Sequence, residues 1–294
     1  MADCIPGTCG CPTPKCPCTC TKTFGPVDLR RVWRVGTSTG YEPFEFYDLN
    51  GAIIGFDIDL TKIIAERLRF VVDLHDMDFN SLFPALGVKY IDIIAAAVSE
   101  TPERSKFADF TKPYYESGMV LLSHDGDIDE SQPINQLNGK IIAAQSGTTQ
   151  EAILHAIKEG GGDPPFDDPN PYAPNMLIYT NISLPAIVTL MATKDNVEVQ
   201  TETGTYEGPI HAAIMIDKVA DSYIAHRPQP PLMRTNESFL NSVETCSFAL
   251  PLGSSLVDII NDILDELLEP GGEIDRLIEK WFGGGSNTDL NQIL

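Results

Sequence analysis

The chain has 294 residues, enough for one large domain or two ordinary ones, and 43% of them are hydrophobic, which supports a packed core rather than a disordered chain. The formal net charge is −22, a surface that repels phosphate backbones and anionic headgroups, so nucleic-acid and lipid-surface binding are disfavoured. No apolar run is long enough to span a bilayer, and the opening Met1-Ala2-Asp3-Cys4 lacks a basic-then-apolar signal segment. The chain is then expected either in the cytoplasm or, with its signal removed and a start Met added, outside it.

Residues 1–31 read as an appendage. Six of the seven cysteines fall there, at Cys4, Cys9, Cys11, Cys16, Cys18 and Cys20, among prolines and threonines with little apolar surface to bury. A disulfide-bonded leader in an oxidising compartment and a lipid-modified tether are the leading readings. A thiolate metal site is the weaker one, because the spacing lacks two matched C-x2-C pairs.

The core begins with a short buried strand at Val32-Trp33-Arg34-Val35-Gly36-Thr37. A hairpin turned at Asn50-Gly51 follows. Ile58, Leu60, Ile63, Ile64 and Leu68, with charges between them, make an amphipathic helix. Strands are expected at 70–74 and 92–96, with a short helix around Leu82 and Leu86. This alternation predicts a doubly wound α/β lobe with a mostly parallel sheet. After a polar stretch at 125–136 the series restarts. A strand is expected at 141–144, a helix at 149–158, a loop at 160–174, a strand at 177–179, a helix at 184–193 and a buried strand at 212–216. Two closing helices at about 256–268 and 273–282 end before Gly283-Gly284-Gly285.

Three strand ends carry polar groups suited to one kind of ligand, since ligands of open α/β sheets collect beyond the carboxyl ends of strands. In Ala97-Val98-Ser99-Glu100-Thr101-Pro102-Glu103-Arg104, Thr101 is placed to cap a helix with Arg104 one turn in, where its planar fork suits a carboxylate; a surface ion pair is the plainer alternative. In Gln145-Ser146-Gly147-Thr148-Thr149-Gln150-Glu151, a capping box opens a helix whose unpaired N–H groups attract an anion; a plain helix start reads equally well. Asp217, directly after the 212–216 strand, is suited either to hold an ammonium group or to cap the next helix. Together these describe the two ends of an α-amino acid. There is no P-loop, no GxGxxG, no histidine pair at metal spacing and no evident nucleophile–base pair, so no metal, cofactor or catalytic residue is assigned.

At these residues the chain resembles the amino-acid-binding members of the type 2 periplasmic binding proteins, the extracellular receptors of ABC importers. The likeness covers roughly residues 32–283 and rests on Gly36-Thr37 with Tyr41-Glu42-Pro43-Phe44-Glu45, Gly55-Phe56-Asp57-Ile58-Asp59-Leu60, Phe79-Asn80-Ser81-Leu82-Phe83-Pro84, Thr101-Pro102-Glu103-Arg104 and Ser146-Gly147-Thr148-Thr149. The resemblance implies two doubly wound α/β lobes joined by a two-strand hinge. Lobe 1 would hold 32–118 plus 244–294 and lobe 2 would hold 119–243, with crossings near 117–120 and 243–247. It also implies residue roles. Arg104, with the backbone amides of Ser99 and Thr149, would clamp the ligand carboxylate. The Ala97 carbonyl, the Ser99 hydroxyl and Asp217 would hold its ammonium. Tyr41 and Phe79 would sandwich the side chain, and Ser38, Gln145, Gln150 and Ile216 would line the pocket. Members that prefer basic ligands often carry an acid where this chain has Ser38, which weighs against a cationic ligand, although Glu42 is near and an aromatic pair suits a guanidinium. The expected protein is a monomer outside the cytoplasm, possessing no nucleic-acid partner and delivering a polar or cationic amino acid, such as arginine or glutamine, to an importer's permease. A cyclohexadienyl or arogenate dehydratase and an amino-acid sensor domain are the alternatives on the same fold.

Overall fold

A computed structural model describes residues 32–132, 134–160, 173–181, 183–226, 231–236, 240 and 242–283. The cysteine-rich leader, most of the 160–174 loop and the tail after Gly283 lie outside the described residues. In chain order the main sheet is built from β1 (Val32–Thr37), β4 (Val71–Asp76), β5 (Ile93–Val98), β6 (Ala108–Phe110), β7 (Tyr115–His124), β8 (Ile141–Gln145), β9 (Leu177–Asn181), β12 (Ala212–Ile216), β13 (Leu232–Arg234) and β14 (Val243–Pro251). Its strands run β4-β1-β5-β14-β7-β12-β8-β9, with β6 beside β14 and β13 beside β7.

That order resolves into two similar halves. β4, β1 and β5 are parallel, as are β9, β8 and β12, and in each half the first strand lies between the second and third. Such an order reverses direction at its middle strand and opens a crevice at the strands' carboxyl ends. The antiparallel pair β14–β7 joins the halves, with Val243 opposite Gly118, Glu244 opposite Ser117 and Cys246 opposite Tyr115. The expected fold class is therefore observed: two doubly wound α/β lobes linked by two crossing strands.

The first lobe shows why its sequence chooses this layering. Successive residues of β5 alternate between two cores. Ile93 and Ala95 join α1 (Phe56–Leu68) through Phe56, Leu60 and Ile64, while Ile94, Ala96 and Val98 join α2 (Phe79–Gly87) through Phe79, Leu82 and Leu86. A strand buried on both faces reads as a continuous apolar run, as Ile93-Ile94-Ala95-Ala96 does. In the second lobe, α3 (Thr149–Glu159), α4 (Leu184–Thr193) and α5 (Asp217–His226) cover the sheet. A hairpin, β10 (Asn196–Thr201) with β11 (Gly204–Pro209), occupies the stretch between α4 and β12. The chain returns through β14 to the first lobe, where α6 (Leu256–Leu267) and α7 (Glu273–Phe282) end it.

Two local expectations change. Asn50-Gly51 is not a two-residue turn. The hairpin of β2 (Phe46–Tyr47) and β3 (Ile53–Ile54) pairs Tyr47 with Ile53, and the longer loop between is held by Asp48, whose Oδ1 accepts from the Asn50 and Ala52 amides at 2.9 and 2.7 Å. Thr101 does not open a helix of any length: its Oγ1 accepts from the Arg104 amide at 3.2 Å, and only a single 3₁₀ turn follows, Arg104–Lys106.

An aromatic cluster ties the C-terminal helix to the lobe that begins the chain. Phe282 lies 5.0 Å from Phe44, 5.0 Å from Phe56 and 4.7 Å from Tyr115, ring centre to ring centre. Phe56 is fully buried at its centre. Phe56→Ala is expected to cost about 3–5 kcal/mol of stability through lost burial and a residual cavity, read as a lowered urea midpoint with an unchanged slope.

Candidate functional site: the cleft between the lobes

The cleft lies where β1, β5 and β8 run out. Its wall is formed by Ser38 and Tyr41 after β1, Ala96 and Ala97 in β5, Gln145 at the end of β8, Thr148, Thr149 and Gln150 at the start of α3, and Phe79 at the start of α2. Arg104, Glu45 and Glu244 add the charges. Eight of the eleven residues expected from the sequence thus share one cavity: Ser38, Tyr41, Phe79, Ala97, Arg104, Gln145, Thr149 and Gln150. Ser99 stands at its edge, with its hydroxyl on Glu244 and its carbonyl on Arg104.

Arg104 reaches across the cleft. Its Nη1 donates to the Ser99 carbonyl at 2.7 Å and its Nη2 to the Gly147 carbonyl at 3.1 Å, one from each lobe. The guanidinium carbon stands 5.4 Å from the centre of the Phe79 ring and 5.3 Å from that of Phe83. Burial lowers its pKa, and the Glu244 charge opposes that shift. A guanidinium flanked by rings and neutral carbonyls keeps a capacity for a stronger, charged acceptor.

Around it the chain is shaped for close approach. Gly147 has φ +78°, and a Cβ there would fall 1.7 Å from the Asn80 Oδ1 of the other lobe. Thr148 caps α3 as expected, accepting from the Glu151 amide, but the Glu151 carboxylate reaches one residue further back and accepts from the Gly147 amide at 2.7 Å. Other contacts close the crevice. Gln150 Nε2 donates to the Tyr41 hydroxyl at 3.3 Å, Tyr223 donates to the Gly40 carbonyl at 2.8 Å, and Ser222 donates to Glu42, whose Oε2 lies 3.2 Å from His226 Nδ1. Glu42 is thus held at the rim by α5, not in the cavity.

Of the expected site residues, Ile216 is not on the wall, and neither is Asp217. It is buried, its Oδ1 accepts from the Ser117 hydroxyl and, at 2.7 Å, from the Lys218 amide, and its Oδ2 lies 3.7 Å from Lys218 Nζ. Two acids that sequence reasoning passed over line the cavity instead. Glu244 accepts from the Ser99 and Thr149 hydroxyls and from Gln150 Nε2 at 2.6 Å. Glu45 is 1% exposed, and its Oε2 has no hydrogen-bond partner among the described residues. Burial pushes the carboxyl of Glu45 well above the ordinary range, with the Asp57 and Asp76 charges adding to it. The one sequence signal for either acid was its setting, a lone carboxylate inside an apolar strand or turn.

Ala97 is positioned from behind. It takes the left-handed conformation, φ +45°, which costs a non-glycine residue roughly 1–2 kcal/mol. Its amide donates to the buried Asp57 at 2.7 Å, and the Tyr114 hydroxyl donates to the same oxygen at 2.7 Å. Burial raises the Asp57 pKa to about 7 against the pull of these two donors. Because the folded state binds this proton more tightly than the unfolded one, Asp57 favours folding below its ordinary pKa, and that contribution is lost as pH rises towards about 7. Asp57→Asn should flatten the fall in stability between about pH 4 and pH 7, as measured by denaturant midpoints across that range.

Residues 33–284 match the family described as bacterial extracellular solute-binding proteins, family 3, and the chain belongs to that family. A similar relative is the arginine-binding extracellular protein ArtP of Bacillus subtilis (strain 168), 29% identical over 259 residues, which are 85% of this chain and 86% of that protein. Among solved structures, an ancestral arginine-binding protein bound to arginine is 29% identical, with a TM-score of 0.71 over 87% of this chain and 100% of its own. The ancestral amino acid-binding protein AncCDT-1, a precursor of cyclohexadienyl dehydratase, is 28% identical, with a TM-score of 0.68 over 86% of this chain and 96% of its own. The family is an extracellular one, and among the described residues no helix is long and apolar enough to cross a membrane.

Proposed function

We propose that the protein binds a free α-amino acid in this cleft outside the cytoplasm, without transforming it, and passes it to the permease of an ABC importer. The observation that carries the reading is Arg104, the single cation on the cavity wall among the described residues, spanning both lobes next to the N-terminus of α3. A ligand carboxylate there would receive charge-assisted bonds from the guanidinium and from the Ser99 and Thr149 amides. The Ala97 carbonyl, the Ser99 hydroxyl and an acid, Asp217 or one of the two on the cavity wall, would take the ammonium. Tyr41 and Phe79 flank the side chain, with Ser38, Gln145 and Gln150 at its far end. The ligand is polar or cationic, as with arginine or glutamine: two acids line the cavity against one guanidinium, and the similar ArtP and ancestral proteins are named for arginine. The lobes are taken to divide at 118/119 and 243/244, the protein to act as a monomer, and the leader to serve as a tether.

A thermal-shift screen against the twenty amino acids tests this directly, since a tight ligand in excess raises the melting temperature by mass action. Arginine or another polar amino acid is expected to give the largest shift, and no shift with any of them would reject the reading. Arg104→Ala should lose about 2 kcal/mol or more of affinity, roughly thirtyfold, because a buried carboxylate would be left half-paired; calorimetry that finds unchanged affinity would reject the clamp.

The dehydratase alternative has two observations in its favour. AncCDT-1 is described as a precursor of such an enzyme, and Glu45 is a buried acid with a raised pKa on the cavity wall, as a proton donor would need to be. Assays with prephenate and arogenate are expected to show no turnover; measurable product would replace binding by catalysis as the function.

A further inference from the structure

The lobes also meet outside the ligand cavity. The turn after β1 that carries Gly40 and Glu42 is seated against two helices of the second lobe. Gly40 has φ +95°, and a Cβ there would fall 2.4 Å from the Pro185 ring at the start of α4. Its carbonyl accepts from the Tyr223 hydroxyl of α5 at 2.8 Å. Two residues on, Glu42 turns its carboxylate onto the same helix. Its Oε2 accepts from the Ser222 hydroxyl at 3.0 Å and lies 3.2 Å from His226 Nδ1. Ser222 and His226 stand one helical turn apart on one face of α5, so two groups of one lobe converge on one oxygen of the other.

The chemistry suits a contact that forms and breaks. The side chains of Glu42 and His226 are 22% and 19% exposed, so both regain water when the lobes part, without leaving an uncompensated buried charge. His226 Nε2 is buried and has no hydrogen-bond partner among the described residues. An orphaned N–H is less tolerated there than a bare lone pair, which favours the imidazole proton on Nδ1, facing Glu42. The other charged groups of α5, Asp217, Lys218 and Asp221, bond to one another, to Ser117 and to Arg234. Glu42 does not line the cavity, so its bonds act on closure and not on the ligand.

We propose that Glu42 is a latch: its bonds to Ser222 and His226 hold the closed form and set how slowly a bound amino acid leaves. This rests on the amino-acid reading of the cleft and adds to it a positioning residue that touches no ligand. A contact made only in the closed form slows opening, leaves capture by the open form unchanged, and acts by the same factor on every ligand.

The test follows release of radiolabelled amino acid by rapid filtration and affinity by calorimetry, for the two amino acids that stabilise the wild type most. Glu42→Ala, Ser222→Ala, His226→Ala and the double variant of Glu42→Ala with His226→Ala are compared, with circular dichroism and melting curves of the ligand-free proteins to establish that each is folded. Glu42→Ala should speed release by about tenfold, the range for hydrogen bonds to a charged group. Association should stay unchanged, and the factor should agree within about twofold between the two ligands. Glu42→Gln, which keeps an acceptor and loses the charge, should recover part of the effect. The double variant should lose little more than Glu42→Ala alone, because the two side chains share one interaction. Ser222→Ala, made in the opposite lobe, should speed release in the same ligand-independent way and carries the test if Glu42→Ala does not fold. Unchanged release, single effects that add in the double variant, or a loss confined to one ligand would each overturn the latch and leave the reading of the cleft standing. If wild type binds no amino acid at all, both fall.

Discussion

The cleft depends on charge taken out of water where two lobes meet. Isolated ions in a low-dielectric interior are costly, and the cost is offset only by close partners. Here Arg104 and Glu244 share one cavity, and each is bonded to both halves of the molecule: Arg104 to Ser99 and Gly147, Glu244 to Ser99, Thr149 and Gln150. Separating the lobes would strip partners from both charges at once. Most of the surrounding architecture can be read as what is needed to hold these two groups at the same depth.

Much of that support lies outside the cavity. Ala97 lines the cavity in a left-handed conformation near the end of its strand, and its amide is held by a carboxylate at the start of α1. Asp57 in turn accepts from Tyr114, whose ring lies against Phe56 in the aromatic cluster that α7 completes from the other end of the described chain. A cleft residue near position 100 is thus braced by residues near 57, 114 and 282. Sequence distance is spent on rigidity, which is the property a preformed binding wall requires.

The lobes and their order were legible because buried strands such as Ile93-Ile94-Ala95-Ala96 and Ala212-Ala213-Ile214-Met215-Ile216 read as apolar runs, and because α1 and α6 carry clear helical spacing. The polar wall was legible at strand ends, where Arg104, Thr149 and Gln150 stand next to recognisable turns. Glu244 and Glu45 were not, because their roles come from pairing partners far away in sequence. Nothing within Val243-Glu244-Thr245-Cys246 announces that Glu244 will face Ser99 and Thr149. Asp217 illustrates the converse. Its local setting suits an ammonium ligand, yet a serine a hundred residues earlier sits within hydrogen-bond reach and donates to one of its oxygens. Local chemistry nominates a side chain, and the tertiary fold decides whom it meets.

The same reasoning bears on how a ligand drives closure. A ligand shifts a two-state equilibrium only through contacts that differ between the states. Arg104 already bonds both lobes through neutral carbonyls, so its presence alone does not distinguish a liganded cleft. What changes is the strength of the acceptor: charge-assisted bonds to a carboxylate are roughly twice as strong as those to neutral groups. On the opposite side, the ammonium of the proposed ligand would act in the same way on the acid that receives it. On the proposed reading, the preference for the closed form comes from exchanging weak bridges for strong ones at points where both lobes already touch. The crossing strands, which carry Glu244 on one and Ser117 directly opposite it on the other, stand beside these bridges, and Glu244 is bonded to residues of both lobes.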